Sequence, residues 1–146
     1  MPTPLLMPLF ASLVGTAEAT RAPVSMPSLC AEATAVVVAE VTTTEGRWQS
    51  GERGSIETLV SVAVSRSVRG AAPPSFGFVV PGGSVNGITQ TISEAPRFRT
   101  DARYLLFLAP AGAGWRLVGG VDGARPVPWG EGELERALAD FGACGA

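Results

Sequence analysis

The stretch at residues 34–44, Thr-Ala-Val-Val-Val-Ala-Glu-Val-Thr-Thr-Thr, is the most strongly strand-forming run of the chain. Its β-branched residues favour a pleated backbone and disfavour a helix. Residues 35–39 are apolar without interruption, which predicts a strand covered on both faces, whereas residues 40–42 alternate as a half-exposed strand does. The run therefore predicts the central strand of a curled sheet or small barrel, paired with two neighbours.

Further segments carry strand signals. From Ile56 the even-numbered positions are mostly apolar through Val64, which predicts a strand with one buried face. Alternating apolar residues at 76–80 predict a third strand, and Asn86-Gly87 predicts a type I′ hairpin turn in an exposed β-ribbon. Residues 103–109, Arg-Tyr-Leu-Leu-Phe-Leu-Ala, predict a second fully covered strand beside the first. A further strand is expected from Trp115 to Val121.

Only one helix is expected, at the end of the chain. Within residues 131–141, apolar side chains recur at helical spacing, at Leu134, Ala137, Leu138 and Phe141. Gly142 stands where a C-terminal cap belongs. This helix is expected to lie against the sheet.

The chain has 146 residues, enough for one domain with a single core, and its 18 glycines and 12 prolines suit a turn-rich β fold. We therefore predict an all-β protein: a small antiparallel β-barrel of five to six strands with one C-terminal α-helix. A β-sandwich is the alternative.

The N-terminal segment predicts export. Residues 5–15 are largely apolar and Ala17-Glu18-Ala19 is a signal-peptidase site, so residues 1–19 are predicted to be a signal peptide. A disordered N-terminus is the alternative, because no Lys or Arg precedes the apolar run. The run is too short and too broken by proline to span a bilayer. We expect a leader of little structure at 20–29, a single domain at 30–146, and a periplasmic or extracellular location without a transmembrane helix.

The residue inventory argues against catalysis. The chain has no His and no Lys, and only two cysteines, so we expect no zinc site, no metal, no cofactor and no catalytic residues. Asp101, Asp122, Glu131 and Glu133 are the carboxylates worth testing for acid–base chemistry, yet each is expected in a turn or at a helix start. An enzyme with an unrecognised site remains the third hypothesis for function.

The remaining polar residues allow a binding surface as one interpretation. Arg97, Arg99 and Arg103 cluster before the second covered strand and predict an anion-binding patch, to which Trp48 would add an aromatic surface. The alternative is a solvated rim with tryptophans in structural packing. The net charge of −2 argues against nucleic acid as the partner.

The order of these signals supports a resemblance. The order is Cys30 before the first strand, a Val-rich strand ending at Arg69-Gly70, Pro81-Gly82-Gly83, residues 103–108 and a tryptophan-led strand. This order resembles that of the OB-like barrel of tissue inhibitors of metalloproteinases and netrin C-terminal modules. Uncharacterised exported bacterial proteins show the same run. The resemblance implies an OB-like fold and, as one alternative, inhibition of an extracellular protease. Those inhibitors act through an N-terminal cysteine, whereas cleavage after Ala19 leaves Cys30 internal.

Our leading hypothesis for function is a non-enzymatic exported binding or interaction domain whose partner is a protein or cell-surface component.

The two cysteines give a first testable prediction. In an oxidising compartment Cys30 and Cys144 are expected to form one disulfide, which closes a loop over most of the chain and holds the C-terminal helix. Losing the bridge should destabilise the domain by about 2 to 4 kcal/mol, with the helix fraying first. Thiol titration of the native protein under denaturing, non-reducing conditions checks it. Two free thiols would refute the bridge.

Overall fold

The computed structural model describes residues 23–49 and 54–142. The predicted signal peptide and Cys144 lie outside the described residues. Within these residues, two α-helices, α1 (Met26–Glu32) and α2 (Glu133–Phe141), flank eight strands, with a 3₁₀-helix at Gly120–Gly123. The strands are β1 (Ala35–Trp48), β2 (Ile56–Arg69), β3 (Ser75–Pro81), β4 (Gly83–Val85), β5 (Ile88–Gln90), β6 (Arg103–Ala111), β7 (Gly114–Leu117) and β8 (Ala124–Pro126).

The strands form one large antiparallel sheet and one small one. The large sheet has the order β3-β2-β1-β6-β7, with β8 also paired to β6, and β4 pairs with β5 alone. Every strand pair in the described chain is antiparallel, which confirms the mostly antiparallel β prediction. Asn86 and Gly87 have φ of 48° and 85°, as a type I′ turn requires, so the β4–β5 hairpin is also confirmed.

Strand β1 is central, as predicted. It pairs with β2 from Val36 to Trp48 and with β6 from Ala35 to Glu40. Its residues are buried up to Ala39 and mostly exposed after Val41. The buried half is therefore the half with strands on both edges, and the exposed half has only β2 beside it.

Side chains of β1 alternate between two apolar clusters, one on each face of the sheet. Odd-numbered residues such as Val37 enter an inner cluster, and the even-numbered Val36 and Val38 enter an outer one. The inner cluster is completed by residues of β2, β3, β6 and β8: Val60, Val62, Phe78, Val80, Tyr104, Leu106, Leu108 and Ala124. Burial on both faces explains why residues 35–39 are continuously apolar.

The large sheet curls but is not closed. Phe76 of β3 and Trp115 of β7 have ring centroids 6.1 Å apart, so the two strands at opposite ends of the strand order meet through side chains. No backbone pairing joins β3 to β7 in the described chain. Closure of the predicted barrel is therefore not confirmed.

Helix α1 corrects the prediction of an unstructured leader. The Ser25 side chain accepts a hydrogen bond from the Ser28 amide, which caps the helix, and a proline occupies its first turn, where no amide donor is needed. Leu29 is 0% exposed and packs with Val36 in the outer cluster. The apolar pattern was too short to predict a helix of only seven residues. Burial against the sheet stabilises this helix.

Helix α2 lies on the same outer face, as predicted, although it begins at Glu133 rather than Glu131. The Phe141 ring lies 6.2 Å from that of Phe107 on β6. Arg69, at the end of β2, donates hydrogen bonds to the carbonyl oxygens of Cys30 (2.5 Å) and Ala33 (3.3 Å), and its guanidinium lies 5.8 Å from the Phe141 ring. Arg69 thus links β2 to both helices. Across the described residues, neither helix is long and apolar enough to cross a membrane.

The strand predicted from Trp115 is shorter than expected. Strand β7 ends at Leu117, and Gly119 and Gly120 have φ of 76° and 58°, a left-handed conformation that a strand does not accommodate. The chain then turns through the 3₁₀-helix into β8, which is an edge strand of three residues. Pro126 ends that strand, as expected of a proline, which cannot donate to a ladder.

We predict that the Phe141→Ala substitution destabilises the protein by about 2 kcal/mol, less than the 3 to 5 of a fully buried phenylalanine, because Phe141 is only half-buried against Phe107. Asp140→Ala, at the exposed neighbouring position, is the matched control and should change stability by less than about 0.5 kcal/mol. Urea unfolding measures both. Equal losses in the two variants would contradict the packing of α2 on the sheet.

Candidate functional site

A cavity of about 440 Å³ lies where the small β4–β5 ribbon and the loop at residues 91–98 approach the exposed half of β1. We call it the ribbon cleft. Its volume is within the range of about 300 to 1,000 Å³ that is usual for ligand sites. Residues from β1, β2, the end of β3, the ribbon and the loop line it, among them Thr44, Gly46, Thr58, Val80, Ser84, Thr89, Gln90, Thr91, Ile92, Pro96, Arg97 and Phe98.

Two glycines let the ribbon approach the large sheet. A Cβ atom at Gly46 would collide with the Ser84 carbonyl, and one at Gly83 would collide with the Thr58 hydroxyl. Gly46 and Thr58 are register partners on β1 and β2, so β4 crosses directly over that pair. The absence of side chains at these two positions sets the depth of the cleft.

Hydrogen bonds fix the ribbon in this position. The Thr58 hydroxyl donates to the Gly82 carbonyl at 2.7 Å, and the Ile56 amide donates to the Gln90 side-chain oxygen at 2.7 Å. The Gln90 side-chain nitrogen in turn donates to the Gly54 carbonyl. The side chain of Gln90 thus bonds to the backbone at the start of β2 and just before it. The cleft is therefore held on one side by a braced ribbon.

The opposite side of the cleft is anchored by an aromatic cluster. Phe98 packs edge-on against Phe78 at 5.4 Å and against Tyr104 at 4.9 Å between ring centroids. Pro96 is buried. Arg97 lies between these two anchored residues and is itself exposed, so the backbone that carries its guanidinium is fixed while the side chain faces the cleft and solvent.

Among the described residues that line the cleft, Arg97 is the single charged side chain. In the described part of the chain its guanidinium has no hydrogen-bond or ion-pair partner. None of the described residues in the lining carries a carboxylate. The cleft therefore combines one unpaired cation with hydroxyl groups of Thr44, Thr89 and Thr91.

The other predicted binding residues are not gathered around Arg97. The Arg99 amide donates to the Tyr104 hydroxyl at 3.0 Å, and its side chain does not line the cleft. Trp48 stands at the end of β1, 39% exposed, also outside the lining. Whether these residues bind a ligand stays a prediction, but only Arg97 of the four lines the ribbon cleft.

Arg103 has structural partners. Its guanidinium lies 4.4 Å from the Trp129 ring and donates hydrogen bonds to the carbonyl oxygens of Val127 (3.3 Å) and Pro128 (2.7 Å). The Trp129 indole N–H donates to the Asp101 carbonyl at 3.0 Å. These contacts clamp the segment after β8 to the start of β6, which is a packing role for a half-buried arginine.

The four carboxylates considered for catalysis lie in structural positions. Asp122 accepts a hydrogen bond from the Val24 amide at 2.9 Å, and Glu133 pairs with Arg136 at 3.0 Å in the first turn of α2. Asp101 has φ of 70° in the turn before β6, and Glu131 precedes α2. Over residues 23–49 and 54–142, no three His, Cys, Asp or Glu side chains converge as a metal site would require.

Cys30 is 5% exposed within α1, on the outer face of the sheet. It lies in the same apolar cluster as Phe141, the last residue of α2. Its predicted partner, Cys144, is outside the described residues, so the disulfide stays a prediction.

No family model, no curated protein and no solved structure matches this chain. The resemblance to the OB-like inhibitors is therefore carried by the order of elements alone.

The sequence did not indicate the ribbon cleft, although it contained one signal for it. The Asn86-Gly87 turn predicted the ribbon, but nothing local shows that the ribbon folds over β1 rather than extending into solvent. Gly46, inside a strand, was the informative residue, because an isolated glycine in a strand often marks a close backbone approach.

We predict that Trp129→Ala destabilises the protein by about 1 to 2 kcal/mol, because it removes both the ring under Arg103 and the indole donor to Asp101. Trp129→Phe keeps a ring and should lose about half as much. Thermal unfolding compares them with Trp48→Ala, whose side chain has no such partners in the described chain. If Trp48→Ala were equally destabilising, the clamp would not be the cause.

Proposed function

We propose that this protein is an exported, non-enzymatic binding domain and that the ribbon cleft is its ligand site. The observation that carries the proposal is the cleft itself. It is a braced cavity of about 440 Å³, and the single charged group among the described residues of its lining, Arg97, has no partner in the described chain. A charged group held on an anchored loop beside a cavity is the usual arrangement of a binding site.

The proposal includes an OB-like, barrel-related architecture. The contact of Phe76 with Trp115 supports it, because it brings the two ends of the sheet together around the inner cluster. Export and cleavage after Ala19 rest on the sequence of residues 1–19. The expected partner is a protein or cell-surface component, and the net charge of −2 disfavours nucleic acid.

Inhibition of an extracellular protease is the weaker candidate. The inhibitors that the chain resembles use a terminal cysteine, whereas Cys30 is inside α1 and its carbonyl oxygen accepts the hydrogen bond from Arg69. N-terminal sequencing of the exported protein distinguishes the two: a mature chain that begins at Cys30 would favour the inhibitor.

The enzyme alternative has its own probe. If a turnover were detected, alanine substitutions of Asp101, Asp122, Glu131 and Glu133 would test these carboxylates. Loss of that turnover without loss of folding would favour the enzyme over the binding domain.

A matched pair of substitutions tests the binding site. Thr44 lines the cleft, and Thr43 is its exposed neighbour on the opposite face of β1. Thr44→Trp should fill the cleft and abolish binding of any ligand identified on an array of peptides and glycans, whereas Thr43→Trp should leave binding unchanged. Binding by neither the wild type nor the control, or equal binding by both variants, would contradict the proposal.

A further inference from the structure

We propose that the ribbon cleft binds an extended peptide that carries a carboxylate, and that the peptide pairs as an added strand with the free edge of β1. This inference rests on the proposed binding function and names the class of ligand. It follows from two observations on neighbouring residues: the backbone edge of β1 beyond Val41 and the unpaired guanidinium of Arg97.

Strand β1 loses one of its two neighbours at Val41. The Val41 amide donates to the Ala102 carbonyl at 3.0 Å, and the Asp101 amide donates to the Val41 carbonyl at 2.8 Å. Pairing with β6 ends at Glu40. From residue 42 to Trp48, no described residue pairs along this edge, although β2 still pairs along the other.

The register shows which backbone groups face the free edge. Gln49 and Ser55 continue the β1–β2 register, and the Gln49 amide donates to the Ser55 carbonyl at 2.8 Å. Facing pairs in an antiparallel ladder are alternately hydrogen-bonded and not. The pairs made by Thr44, Gly46 and Trp48 are therefore the non-bonded ones, so the N–H and C=O groups of these three residues point away from β2.

The even-numbered residues point outward because the pairing of β1 with β2 is irregular at residue 42. The facing register shifts between Val41 and Thr43, and the Thr42 hydroxyl donates to the Ser61 carbonyl at 3.0 Å. The backbone groups of odd-numbered Val41 thus point toward β6. Beyond the shift, the backbone groups of the even-numbered residues point to the free edge. Unpaired backbone groups on an edge are a template for strand addition.

Two of these outward-facing residues also line the cleft. Thr44 and Gly46 belong to both the free edge and the cavity, and Arg97 lines the same cavity. A strand added to β1 here lies beside the cleft, with alternate side chains directed into it. The absence of a Cβ at Gly46 keeps that position open to the backbone of the ribbon.

The charge of the residues that line the cleft indicates the class of ligand. The described residues of the lining include one cation and no carboxylate, so an acidic side chain or a terminal carboxylate is the complement of Arg97. A neutral glycan would satisfy the hydroxyl groups but would leave the guanidinium unpaired. A nucleic acid would meet a chain of net charge −2.

The test uses synthetic probes of alternating Thr and Val, with one central Glu or, as the neutral match, Gln. Fluorescence anisotropy with the exported protein should show about tenfold tighter binding of the Glu peptide, the value expected for one charge-assisted hydrogen bond. Arg97→Gln should remove this preference. Arg99→Gln, which changes the net charge equally from outside the cleft, should retain it.

Strand addition is tested separately with N-methylated peptides. Methylation of alternate amides should abolish binding for one parity and spare it for the other, since only every second amide of an added strand faces β1. Equal effects of the two parities, or equal losses in Arg97→Gln and Arg99→Gln, would overturn the inference. If Thr44→Trp blocks a glycan or a neutral peptide instead, the proposed binding site stands and the peptide inference fails.

Discussion

The structure depends on the burial of β1 on both faces and both edges over residues 36–39. Its even-numbered valines pack against the two helices on the outer face, and its odd-numbered residues pack inside the curled sheet. Its backbone is paired with β2 and β6 at the same time. Since each apolar side chain buried in this way contributes about 1.5 to 3 kcal/mol, the alternation makes any slip of register costly.

The same strand changes character at Val41, and the candidate site begins there. Where β6 ends, β1 and β2 continue as a pair that is exposed on one edge. The ribbon covers the inner face of this pair because Gly46 and Gly83 permit backbone contact. The strand pair therefore begins at a rigid core and continues as a half-covered pair. A cleft can form at the half-covered end without disturbing the fold.

The position of an arginine in the sequence does not show whether the residue packs within the fold or faces a binding site. Arg69 is bonded to carbonyls beside both helices, and Arg103 lies over Trp129, whereas Arg97 has no partner in the described chain. All three looked alike as basic residues near strand ends. Only the packing of Pro96 and Phe98 decided that Arg97 faces a cavity, because those contacts join residues distant in sequence.

The sequence by itself determined the strands with clear period, the type I′ turn and the C-terminal helix, since these follow from local patterns of apolar residues and glycine. It did not show α1, whose seven residues are stabilised by burial of Leu29 on the sheet, or the early end of β7. Tertiary structure alone decided the curl of the sheet, the crossing of the ribbon over Gly46 and the place of Arg97. Each of these depends on contacts between segments far apart in the chain, for which no local pattern exists.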